Sequence, residues 1–110
     1  MTGFVEPHIF AGYSGGGKGV LPGVAAAHNV MRNHSAENLL HPNATYCVGE
    51  GNPIFEEMRA AAVASGVTFL CNVTLNAQRQ VTGWFCGDLV QAHDAAIAMV
   101  NRTALRPVPY

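Results

Sequence analysis

Val67–Cys86, VTFLCNVTLNAQRQVTGWFC, decides the fold. Val67 to Leu75 is a mostly apolar run of strand length, rich in the β-branched and aromatic residues that suit a pleated surface. Asn76 to Arg79 is polar and reads as a turn, and Val81 to Cys86 forms a second strand. Outward from these strands, helix signals stand on both sides. Upstream, Asn52 is a capping residue, Pro53 fits the first helical position, and Glu56 and Glu57 complement the positive end of the helix. Ile54, Met58 and Ala61 or Ala62 line one face, and Gly66 supplies the stop. Downstream, Asp88 caps a helix with Gln91 as capping-box partner, and Leu89, Ala92, Ala96, Met99 and Val100 repeat at helical spacing to about Leu105. Arg106-Pro107-Val108-Pro109 ends it. Helix, strand, strand, helix predicts an α/β or α+β layer, with helices packed on a small sheet.

The N-terminal half is less regular. Thr2 to Glu6 reads as a short strand ended by Pro7, which has no backbone donor. Pro22 suits the start of a helix running to about Arg32, with Val24, Ala27 and Met31 on one face, and Ser35 caps a short helix through Leu40. Between Pro7 and Pro22 lies Ala11-Gly12-Tyr13-Ser14-Gly15-Gly16-Gly17-Lys18-Gly19. So glycine-rich a stretch loses much entropy on ordering, which points to close backbone approach or unusual dihedrals.

Composition narrows the function. With 110 residues the chain holds at most one domain, and a hydrophobic fraction of 49% argues against disorder. The charged fraction is only 12%, about half the usual value, so the surface is expected to pack against further polypeptide and the chain to be part of a larger domain, incomplete at both ends. A net charge of −1 gives no case for nucleic acid or an anionic membrane, and neither a membrane span nor a signal peptide is evident. A cytoplasmic location follows as the default. Cys47, Cys71 and Cys86 form no C-x-x-C pair, and Cys71 and Cys86 read as small buried strand residues.

Gly12-x-x-x-x-Gly17-Lys18 imitates a nucleoside triphosphate loop but fails it. Gly19 stands where a hydroxyl must ligate magnesium, and Pro22 interrupts the helix that should follow. A backbone anion cradle remains sensible. Lys18 is the only lysine, and a deprotonated amine can bond covalently to a cofactor. His8 and His34 flank it in irregular segments, though a packed or surface role is the ordinary fate of either. Residue patterns alone stop at a cofactor or anion site near the glycine loop.

Glu6-Pro7-His8-x-Phe10-Ala11-Gly12-x-Ser14-Gly15-Gly16-x-Lys18-x-Val20-Leu21-Pro22-Gly23 resembles the signature of the nickel-pincer-dependent lactate racemase family. Asn33-His34-Ser35, Gly51-Asn52-Pro53-Ile54, Leu70-Cys71-Asn72-Val73, Gly87-Asp88 and Ala92-His93 follow in the family's order. The resemblance implies a segment, residues 1–110, from the cofactor-binding part of a racemase catalytic domain, with a glycine-rich cofactor loop. His8 then corresponds to a catalytic histidine and Lys18 to the lysine that holds the nickel-pincer nucleotide, a nickel pyridinium bisthiocarboxylic acid mononucleotide. His34 corresponds to the protein ligand of nickel and so to a second cofactor-binding residue. The implied reaction is racemisation or epimerisation of a 2-hydroxyacid such as lactate, by reversible hydride transfer to the cofactor with a histidine moving the hydroxyl proton. None of His28, His41 and His93 corresponds to the family's second catalytic histidine, and His93 reads as a structural helix residue. The alternative is a non-catalytic nucleotide-binding module or an inert product, inactive alone and open to self-association or a complementing polypeptide.

Overall fold

The computed structural model describes residues 1–104. Its centre is a three-stranded sheet of β1 (Thr2–Phe4), β4 (Leu70–Leu75) and β5 (Val81–Gly87), with β4 in the middle, parallel to β1 and antiparallel to β5. A second, two-stranded ribbon pairs β2 (Pro7–His8) with β3 (Gly12–Tyr13). A 3-10 helix, Gly16–Gly19, follows, then α1 (Ala27–Asn33), α2 (Ala36–Leu39), α3 (Pro53–Ala64) and α4 (Leu89–Ala104). The mixed α/β layer with helices on a small sheet is thus the fold that forms. No described helix is long and apolar enough to cross a membrane.

Alternation on β4 divides the sheet. Leu70, Asn72 and Thr74 are buried and face the helices, whereas Cys71, Val73 and Leu75 point to the other face. Leu70 joins Ala62 of α3 and Leu89 and Ala92 of α4 in one apolar cluster, and Phe55 joins Val5, Tyr13, Ala96 and Val100 in another. A third, of Ala11, Leu21, Ile54 and Met58, ties the glycine-rich segment to α3.

The expected caps form. Asn52 Oδ1 accepts from the Ile54 and Phe55 amides at 3.0 and 3.3 Å, Asp88 Oδ2 from Val90 and Gln91 at 3.0 Å each, and Ser35 Oγ from Asn38 at 3.3 Å. Gly66, at φ +80°, terminates α3. The expected end of α4 at Leu105, with its proline stop, lies outside the described residues.

Other expectations are corrected. Helix α1 begins at Ala27 rather than near Pro22, because the Gly23, Val24 and Ala25 amides bond back to Lys18, Val20 and Pro22 and close turns there. Val24 and Met31 are consequently exposed, and Val30 and Asn33 make the inward contacts. Pro7 does not simply end a strand. It lies in β2 opposite Tyr13, on a two-stranded ribbon where a missing donor is tolerated. Cys86 is exposed and Cys71 half-buried, because both project from the sheet face away from the helices, with their sulfurs 2.8 Å apart.

Candidate functional site

The turn of the β2–β3 ribbon brings two of the three singled-out side chains, His8 and His34, against one ring, that of Phe10. His8 ends β2, and the next residues fold back over its ring: the Ala11 and Phe10 amides donate to His8 Nδ1 at 3.2 and 3.4 Å. Phe10 carries an aromatic ring between two histidines, edge-on to His8 at 4.6 Å and to His34 at 5.1 Å. The Phe10 carbonyl is tied by Asn52 Nδ2 at 2.9 Å, so the cap of α3 also fixes this turn. His34 closes α1, its Nδ1–H donating to the Val30 carbonyl at 3.1 Å.

Lys18 reaches the same neighbourhood from the 3-10 helix. Burial pushes its amine below the ordinary value. His8 is also lowered, first by burial, then by the Lys18 cation, then by His34. A charged lysine near the ring disfavours imidazolium, so His8 is biased to the neutral form. The fold-back that joins His8 to Lys18 is the ribbon followed by the compact glycine segment, and it needs the glycines. At Gly12, with φ +81°, a Cβ would overlap the Val48 carbonyl; at Gly16, with φ +52°, it would overlap the His93 ring.

Tautomers follow from the partners. A carbonyl only accepts, so His34 carries its proton on Nδ1 and leaves the Nε2 lone pair open. That is the arrangement in which an imidazole coordinates a metal with its orientation fixed by a backbone oxygen. His8 is the reverse. Two amides donate to Nδ1, so the neutral ring carries its proton on Nε2. Beside His34, the fully buried Asn33 carboxamide has no hydrogen-bond partner for Oδ1 or Nδ2 among the described residues. Among them, too, no three His, Cys, Asp or Glu side chains converge, so a metal at His34 would draw its other donors from a bound group.

A cleft of about 710 Å³ is lined by residues including Tyr13, Phe55, Arg59, Asp94 and Asn101 and is not lined by His8, Lys18 or His34. The singled-out histidines lie instead on the His8–Phe10–His34 cluster. Phe10 and Asn52 shape this cluster, although pattern reading gave Phe10 no role and Asn52 only that of a helix cap. Their only sequence signal for this is that both stand inside the quoted family motifs.

Residues 1–46 match the model of the lactate racemase N-terminal domain. Over 102 residues the chain is 37% identical to the lactate racemase of Thermoanaerobacterium thermosaccharolyticum, covering 93% of this chain and 24% of that one. It is 38% identical over 105 residues to the lactate racemase of Lactiplantibacillus plantarum, covering 96% of this chain and 25% of the relative. The solved structure of the Thermoanaerobacterium lactate racemase apoprotein superimposes with a TM-score of 0.89 at 37% identity, again over 91% of this chain and 24% of that one. Sequence and backbone thus agree with lactate racemases over nearly the whole of this chain, which spans about a quarter of the length of the relatives it matches.

Proposed function

We propose that this chain is the nucleotide-holding portion of a 2-hydroxyacid racemase or epimerase, acting on lactate or a close analogue through a nickel-pincer nucleotide. The observation that carries it is the pairing of His8 and His34 on either side of Phe10, with the Lys18 cation close enough to act on His8. The residues fit the group. His34 presents an unprotonated Nε2 to a metal, the partly buried Lys18 amine is easier to deprotonate and so to use as a nucleophile, and the orphaned Asn33 amide offers unused polar capacity nearby. When bound, the nucleotide supplies the hydride-accepting ring and the remaining nickel donors.

The protein's part is orientation and proton movement. His8 is kept neutral by burial and by Lys18, as a group that accepts a hydroxyl proton must be. To accept at Nε2 it must move its own proton to Nδ1 and give up the contacts from Phe10 and Ala11, which at 3.4 and 3.2 Å are long enough to yield readily. A cytoplasmic setting belongs to the same reading.

The test uses protein from a host that makes the nucleotide. Lys18→Ala should lose the covalent adduct in intact-mass spectra and Lys18→Arg should not restore it, since arginine keeps the charge without an available amine. His34→Ala should lose nickel, while Cys47→Ala, Cys71→Ala and Cys86→Ala keep it. Undiminished nickel in the histidine variant would overturn the assignment. The loaded chain alone should not interconvert lactate enantiomers measurably. It offers one acid–base histidine at the cluster, and losing a second costs on the order of 10²–10⁴ in rate. Robust racemisation by the short chain would show that another of its residues serves as the second base.

A further inference from the structure

His93 reads from the sequence as an ordinary helix residue, but its surroundings are specific. It is 3% exposed on α4, and its Nε2 lies 3.0 Å from the Ser14 carbonyl, at the mouth of the glycine segment. The carbonyl only accepts, so Nε2 bears the proton. The other nitrogen, Nδ1, lies 3.0 Å from an Arg59 guanidinium nitrogen, which only donates. The ring is therefore gripped from both sides as the neutral Nε2–H tautomer. It stacks on Phe55 at 5.7 Å with an interplanar angle of 17°, and the Arg59 guanidinium lies 4.7 Å from the centre of the same Phe55 ring. Asp94 holds Arg59 in turn at 2.7 Å. Gly16 passes flat against the imidazole, where any Cβ would overlap it, and on its other side the Gly16 amide donates to Asn72 Oδ1 at 2.9 Å.

We propose that His93 is a positioning residue for Lys18: it clamps the Ser14 carbonyl, templates the path of Gly16, and so fixes the 3-10 helix that presents the lysine. The inference rests on the proposed function only in taking Lys18 as the nucleotide's anchor. Arg59 enforces the tautomer, because a proton on Nδ1 would face a guanidinium donor. The charged groups around the ring are Arg59 from α3, Asp94 from α4 itself and Lys18 from the 3-10 helix. Burial, the largest influence, disfavours imidazolium, and Arg59 adds to it against the Ser14 carbonyl and Asp94, so acidification should loosen the clamp.

The experiment is hydrogen exchange on the full, nucleotide-free chain, so that its outcome is independent of whether Lys18 binds anything. In His93→Leu the amides of residues 14–21 should exchange roughly ten- to a hundredfold faster, the loss expected when a buried carbonyl gives up its only side-chain donor, with β5 unchanged. His93→Gln, whose amide can donate to Ser14, should recover most of the protection. Loop protection should fall on acidification in the native chain and stay flat in His93→Gln. A folded His93→Leu with unaltered loop exchange overturns the proposal. Should that variant not fold, nitrogen NMR of the native imidazoles decides, because His93 found as the Nδ1–H tautomer or as imidazolium at neutral pH overturns it equally. From the nucleotide-making host, the Lys18 adduct should drop at least tenfold in His93→Leu and return in His93→Gln. A full adduct on a loosened loop refutes the positioning role, whereas no adduct on the native chain refutes the anchor and leaves the clamp standing.

Discussion

At the scale of residues, two histidines titrate in the same direction. His93 is lowered chiefly by burial, and His8 by burial and then Lys18. Between their folded values and about 6.5, the unfolded chain binds more protons than the native one. Stability therefore rises with pH through that window and is lost as pH falls below about 6.5, at no more than about 1.4 kcal/mol per pH unit for each whole proton. Urea melts between pH 5 and 8 should show this slope, and His93→Gln should flatten it; an unchanged slope would deny the buried imidazole its share. Asn33 gives a second residue-level expectation. Its carboxamide is buried with neither atom bonded, so Asn33→Leu should stabilise the nucleotide-free chain by about 1–2 kcal/mol, read as a higher urea midpoint. His8, Lys18 and His34 are singled out in the sequence through family resemblance alone. The meeting of His8 and His34 on Phe10 is not legible there, because contacts across a fold-back have no signature in spacing. The clamp at His93 was equally hidden, since it joins residues 79 positions apart.

At the scale of elements, the cap of α3 links fold to site. Asn52 accepts from two helix amides and donates to the carbonyls of Phe10 and Val48 at 2.9 Å each. Asn52→Ala should cost about 3 kcal/mol, the helix cap plus two stranded carbonyls, whereas Asp88→Ala at the exposed cap of α4 should cost only about 1 kcal/mol. Equal losses in chemical denaturation would mean that the ribbon does not depend on Asn52. Caps and strand runs were legible because each is set by local chemistry, so α2, α3, β5 and the start of α4 stand where the sequence places them, whereas β4 begins at Leu70 rather than Val67. The failures share one cause. Helix α1 was expected too early because Pro22 looks like a first-turn proline, yet the backbone bonds of 20–25 are committed to turns that seat the glycine segment on α3.

At the scale of the molecule, the outward sheet face is conspicuously apolar. Phe4, Val73 and Trp84 lie side by side across β1, β4 and β5, with Trp84 70% exposed and Phe4 45% exposed. Such a face promotes association, and the charge-poor composition does little to prevent it. Sedimentation of the native chain should show concentration-dependent oligomers, and the double variant Phe4→Thr, Trp84→Thr should shift the distribution towards monomer; no shift would exonerate the sheet. Trp84 is also the only tryptophan. Its indole is solvated in the native chain, so intrinsic fluorescence should change little on denaturation and be a poor thermometer of unfolding. By the same geometry it is a built-in optical reporter, blue-shifting when anything comes to lie on the sheet and staying dark to events at the glycine loop.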